Sequence, residues 1–268
     1  MELNELMERI RLPEEAQAVA LNYMPEDEAY QKQRELFYRD IREFLAKWKV
    51  SDHHLQWILS FYLKLSLEVY EEYQKRGISE KIFDDTFYDI TIWCEECHRK
   101  YGYYGLEEAG WIAFSLKMKL FRLGRLQFEP MVLSEEMAGK TGTLRAGTSV
   151  LNVHIPAGEK LDFAECQKSF EQAEQFFGNT YEAYVCDSWL LSPVLRELLP
   201  EASNIVRFQK LFEVVKVHNR FPQAEQRIFQ DIRDDKENYP ENTSLQRKAK
   251  QYILKGKKLG IGIGFFYK

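Results

Sequence analysis

No run of about 18 consecutive apolar residues occurs in the chain, so no segment reads as a membrane-spanning helix. The opening stretch, MELNELMERIRLPEEAQ, is acidic and amphipathic and lacks the apolar centre of a secretion signal. Basic residues are not in excess. The 37 Lys and Arg against 42 Asp and Glu give a formal net charge of −5, which speaks against general nucleic-acid binding and leaves room only for a local basic pocket. Cysteine is scarce: Cys94, Cys97, Cys166 and Cys186 are the full set, and without an export signal they are expected to be thiols. These shortages together predict a soluble, cytoplasmic protein with neither a membrane nor a nucleic-acid partner. Internal repeats and low-complexity stretches are missing too.

What the chain has in quantity is aromatic residues, 14% of the total with 15 Tyr and 18 Phe, enough to fill a large core or line a pocket. At 268 residues it suits one large domain or two ordinary ones. The pattern favours two. Up to residue 117 the apolar residues recur at helical spacing, as in Leu36, Phe37, Ile41, Phe44, Leu45 and Trp48, which predict one helix over 28–48. Leu55, Ile58, Leu59, Tyr62, Leu63 and Val69 predict a second, capped by Ser51 or Asp52 and ended by Gly77. A third is expected over 79–99 and a fourth over 106–117, with Pro13 and Pro25 punctuating the start.

From residue 118 the period changes. Strands are expected over 120–128, 150–155, 181–189, 208–217 and 259–267, with a loop over 134–148. Helices are expected over 162–177, near 193–199, after Pro222 and over 244–254. The expected architecture is therefore a helical domain over 1–117 and a mixed α/β sheet domain over 118–268.

Several motifs imitate known sites. Cys94-Glu95-Glu96-Cys97-His98 has the letters of a covalent haem site, but it falls inside a helix, and a zinc site would need two further ligands. One buried and one exposed thiol is the expectation, with no metal. Ala138-Gly139-Lys140-Thr141 has the letters that end a phosphate-binding loop, yet no helix start follows, so a hairpin loop is expected. Gly260, Gly262 and Gly264 have the period of a strand and read as a face bared for close packing. The basic stretch from Arg247 to Lys258 reads as solvated surface.

Polar residues on the expected strands are more informative. Asn152 and His154 share one strand face, Arg125, Gln127 and Glu129 another, and Asp187 and Trp189 a third, with Ser188 at its strand's end. Sites in open α/β sheets gather at strand ends. His is the usual base near neutral pH, and an Asp can orient it. His154, Asp187 and Ser188 are therefore the catalytic candidates, and Arg125, Gln127, Glu129, Asn152 and Trp189 the substrate-binding ones.

Four phrases carry a resemblance. They are Leu123-Gly124-Arg125-Leu126-Gln127-Phe128-Glu129, then 150–158 (VLNVHIPAG), then 185–191 (VCDSWLL), then 203–208 (SNIVRF). In this order they resemble a bacterial family that joins an N-acyltransferase-type helical domain to a GNAT-like C-terminal domain. The resemblance implies acyl-CoA, acetyl-CoA or a longer one, as co-substrate and a small-molecule or peptide amine as acceptor. It implies a cleft where two parallel strands splay, with the pyrophosphate met by the turn after the first. Here that turn places Ile155, Ala157, Gly158 and Lys160 as cofactor-binding candidates. The turn has a single Gly and carries Glu159, which departs from the glycine-rich family pattern and favours a second reading, a GNAT-shaped binding or regulatory protein. A hydrolase built on Asp187 and Ser188 would need nucleophile-elbow glycines, which Ser188 lacks.

Overall fold

The computed structural model describes residues 1–49 and 51–268, which form two compact units. The first comprises Met1–Leu123 together with Pro156–Gly158, and the second comprises Gly124–Ile155 and Glu159–Lys268.

The first unit is helical: α1 Leu3–Arg9, α2 Glu14–Asn22, α3 Asp27–Arg39, α4 Ile41–Trp48, α5 His54–Lys75, α6 Glu80–Tyr101 and α7 Ala109–Leu116, then the short strand β1, Phe121–Leu123. The single helix expected over 28–48 is two. Asp40 leaves the helical region (φ −149°, ψ 96°) and its carboxylate accepts from the amides of Arg42 at 2.9 Å and Glu43 at 3.0 Å. A short acidic side chain that satisfies first-turn donors starts a new helix even where the apolar stripe runs on. Neither Ser51 nor Asp52 caps α5; His53 precedes it in the left-handed region at φ 56°. Ser79 does cap α6, accepting from the Ile82 amide, and Gly102 ends it at φ 78°. The interior is aromatic, with Phe37, Phe44, Phe61 and Tyr62 all fully buried and in mutual ring contact.

The second unit holds β2 Leu126–Val132, β3 Met137–Ala138, β4 Thr143–Leu144, β5 Ser149–His154, α8 Phe163–Phe177, β6 Ala183–Ser188, α9 Leu195–Leu198, α10 Asn204–Gln209, β7 Glu213–His218, α11 Gln223–Phe229, α12 Ser244–Leu254 and β8 Ile261–Tyr267. Five strands lie in the order β2-β5-β6-β8-β7, and only β5 and β6 pair in parallel. The strand expected over 208–217 is corrected to a helix ending at Gln209 and a strand from Glu213, because Ser203 caps the helix through the Val206 amide. The expected loop over 134–148 contains the small hairpin β3–β4.

The sheet has two unlike faces. On one, Phe128 and Tyr184 pack on Phe170 of α8, at ring-centroid distances of 5.8 and 4.8 Å. The other carries Val150, Ala183, Val185 and Phe265 in a core with Leu133 and Leu144. Further along the same strands it turns polar, with Glu129, Asn152 and His154. The bare glycine face of β8 is a packing device: a Cβ on Gly262 would collide with the Leu191 carbonyl, and one on Gly264 would lie 2.8 Å from the Glu213 carbonyl oxygen.

Candidate active site

The parallel pairing of β5 and β6 stops at Asn152–Val185, while β5 continues to His154 and β6 to Ser188. His154 and Asp187 each lie two residues past the last pair and face the same side of the sheet. The two strands therefore fork, and polar side chains stand at the mouth.

Glu129 organises the β5 side. Its Oε2 accepts from His154 Nε2 at 3.0 Å and from Asn152 Nδ2 at 3.1 Å. The antiparallel register places Glu129 opposite Asn152 and Gln127 opposite His154, so all four share one face. His154 and Glu129 are about three-quarters buried, with side-chain exposures of 24% and 20%. With its Nε2 proton committed to a carboxylate, the ring of this tautomer carries its lone pair on Nδ1.

The remaining candidates have other neighbours. Arg125 is not on a strand; it sits in the turn before β2, and its amide donates to Ser169 Oγ of α8 at 2.8 Å. Its guanidinium donates to the carbonyls of Lys160 at 3.0 Å and Glu159 at 2.7 Å, tying down the turn between β5 and α8. Asp187 does not reach His154: its Oδ1 accepts from His218 Nε2 at 3.1 Å, two strands away across β8. Ser188 is buried and its hydroxyl accepts from the Leu190 amide, so it caps the turn that follows rather than presenting a nucleophile. Trp189 lies past the strand end. Its amide donates to Gln223 Oε1 at 2.9 Å, and its ring packs against the cluster of Leu198, Ile228, Phe229 and Ile253.

At the turn, Ala157, Gly158 and Lys160 are exposed, and Gly158 takes φ 90°. Their amides donate to no group among the described residues. The first turn of α8 is different: Asp162 already accepts from the amides of Ala164 at 2.9 Å and Glu165 at 3.1 Å. An anion at this helix start would have to displace a carboxylate already in place.

Two imitation motifs resolve structurally. The Lys140 and Thr141 amides and the Thr141 hydroxyl surround the carboxylate of Glu213, an anion nest that serves the protein's own side chain. Those hydrogen bonds, the Thr141 hydroxyl first, hold Glu213 below the usual carboxylate range. Cys94 and Cys97 are both buried, which corrects the expectation of one exposed thiol, and His98 stacks on Tyr104 instead. Among the described residues no three His, Cys, Asp or Glu side chains group as a metal site requires. Lys248 and Lys250 of the basic stretch bind the Leu198 carbonyl and Glu241.

Residues 1–118 match the family model for the N-acyltransferase N-terminal domain, and residues 120–266 match that for the GNAT-like C-terminal domain. The chain belongs to the N-acyltransferase family with a GNAT-like C-terminal domain. Solved structures share the fold. An acyltransferase in complex with decanoyl-CoA and teicoplanin aligns at TM-score 0.81 and 22% identity over 99% of this chain and 87% of its own. An acyltransferase mutant in complex with octanoyl-CoA aligns at TM-score 0.79 and 21% identity over 98% and 87%. No match to a curated protein sequence was found. His218, the partner of Asp187, is a residue that sequence patterning missed. No helix among the described residues is long and apolar enough to cross a membrane.

Proposed function

We propose that this N-acyltransferase family member moves an acyl group from acyl-CoA to the nitrogen of an amine, with His154 as general base. The observation that carries this is the fork: parallel pairing ends at Asn152–Val185, and the His154–Glu129 pair stands just beyond it. Glu129 holds the imidazole by its Nε2 proton, so Nδ1 takes the proton from the acceptor nitrogen as that nitrogen attacks the thioester carbonyl. The tetrahedral intermediate collapses with cleavage of the C–S bond, and the departing thiolate of CoA leaves as the thiol after taking up a proton. The unengaged amides of Ala157, Gly158 and Lys160, with the Lys160 ammonium, would meet the pyrophosphate. Ile155 leads the chain into that turn. Gln127 and Asn152 would line the acceptor side of His154.

The test is thermal unfolding with acetyl-CoA and decanoyl-CoA, against free CoA and ATP. Ligand at about a hundred times its dissociation constant stabilises the folded state by about 2.7 kcal/mol. A rise with the acyl-CoAs and CoA but not with ATP, followed by CoA release when an amine is added, supports the reading. No rise with any CoA species sinks it. One observation favours the alternative, a GNAT-shaped binding or regulatory protein: Asp162 already fills the start of α8. Under that reading no stabilisation by any CoA species is the expected result, and the fold binds another ligand.

A further inference from the structure

We infer that the end of β6 is a cation subsite, in which Asp187, oriented by His218, receives a second positive charge on an acceptor with two cationic centres. The inference rests on the acyltransferase reading above and narrows the acceptor it would take to a diamine-like class.

Asp187 stands on the same face as His154 and is half exposed, at 53%. Among the described residues its carboxylate has one hydrogen-bond partner, His218 Nε2 on Oδ1, and Oδ2 meets no other side chain or amide. The His218 side chain is only 16% exposed, and its Nδ1 is buried with no hydrogen-bond partner. A hydrogen bond from this mostly buried ring orients the carboxylate.

No Lys or Arg among the described residues forms an ion pair with Asp187. Lys216 flanks Ile263 of β8 from the side opposite Asp187, but it is exposed and makes no ion pair with the carboxylate. The protein thus presents at the mouth of the fork a half-exposed carboxylate held by a single histidine. Because His218 belongs to β7, the carboxylate leans across β8 and away from β5 and His154. Neighbouring strands run about 4.8 Å apart, so a group at Asp187 sits roughly 6–10 Å from the nitrogen that His154 serves. That span separates the two ends of a five-carbon diamine.

The backbone places His218 there deliberately in one respect. β7 carries a bulge between Val214 and Lys216, and the extra residue turns His218 to the face that Asp187 occupies.

The test is a titration of the full chain with cadaverine and with pentylamine, followed by NMR of the histidine rings. His218 is identified by the resonance lost in His218→Asn. Cadaverine is expected to shift it with a half-saturation about fivefold below that of pentylamine, the size of a partly exposed ion pair. Asp187→Asn should abolish that difference, while Asp187→Glu should retain part of it. Equal half-saturation for the two amines in the wild type, or a difference that survives in Asp187→Asn, overturns the subsite. The wild-type comparison decides by itself should Asp187→Asn fail to fold. CoA release from acetyl-CoA in the same samples keeps the two ideas apart. A cadaverine preference without transfer to either amine supports the subsite and sinks the acyltransferase reading, and equal transfer to both amines without any His218 preference does the reverse.

Discussion

The carboxylate of Glu129 on β2 lies 3.0 Å from His154 Nε2 on β5, one strand away and on the polar side of the sheet. The antiparallel register fixes this contact, since Glu129 and Asn152 are direct partners and His154 is the next same-face residue along β5. A carboxylate so placed does for the ring what no solvent-exposed partner would. By accepting the Nε2 proton it selects the tautomer.

From that contact follows the first prediction. His154→Ala should lower kcat for acyl transfer about a hundredfold, with the thermal stability little changed. Glu129→Gln keeps an oxygen acceptor but loses the charge, and should lower kcat by about tenfold. Steady-state kinetics beside thermal unfolding check both. A His154→Ala protein that unfolds instead would make the residue a structural one.

Arg125 is bonded to the turn after β5. Its planar guanidinium reaches two consecutive carbonyls, those of Glu159 and Lys160, and a Lys ammonium on a flexible stem reaches them less well. Arg125→Lys should therefore weaken acyl-CoA affinity by about tenfold while kcat changes by less than about twofold. Isothermal titration with decanoyl-CoA measures the first quantity. Unchanged affinity would mean that the turn is not the pyrophosphate site.

These two residues also show how far the sequence could be read. Alternation put Glu129 on a polar face and His154 on another, and pairing β2 with β5 joins the two faces into one. That pairing was not legible from either strand alone. Arg125 was misplaced by the same rule, because a turn at Gly124, with φ 70°, interrupts the strand that alternation would extend through it. Asp187 was legible as a polar strand residue, but its partner was not. Counted by strict alternation from Glu213, His218 falls on the opposite face, and only the bulge brings it round. The helices α8 and α12 read almost to the residue, since Asp162 and Thr243 are strong caps followed by a single apolar stripe.

The hairpin β3–β4 offers a prediction about a motif whose letters suggest a nucleotide. The Glu213 carboxylate stands where a phosphate would in a true phosphate-binding loop, and a Cβ on Gly139 would lie only 2.6 Å from its Oε2. Glu213→Gln should speed hydrogen exchange at the Lys140 and Thr141 amides without creating ATP binding. Because hydrogen bonding lowers the folded-state pKa of Glu213, its contribution is present above the unfolded carboxylate pKa and is lost as pH falls through the folded value. Hairpin protection factors should thus fall in acid before those of the sheet do, and protection factors equal to those at neutral pH would refute this.

The four thiols give the alkaline counterpart. Burial pushes Cys94 up to about 12 and Cys97 and Cys166 up to about 11, and it pushes Cys186 up as well. For Cys166 the charge of Arg125 opposes the rise without overcoming it. At pH 8 a thiol titrating near 11 is thiolate in roughly one molecule in a thousand, against roughly one in ten for a thiol titrating near 9. Iodoacetamide should therefore label the native protein at least about a hundredfold more slowly than the urea-unfolded chain. The sign of the linkage follows from proton counting. Between the unfolded and folded values the native state binds more protons, so stability falls as pH rises above about 9. Denaturant titrations at pH 8 and pH 10 measure that slope, and a midpoint that climbs between them would show that the buried thiols do not govern alkaline stability.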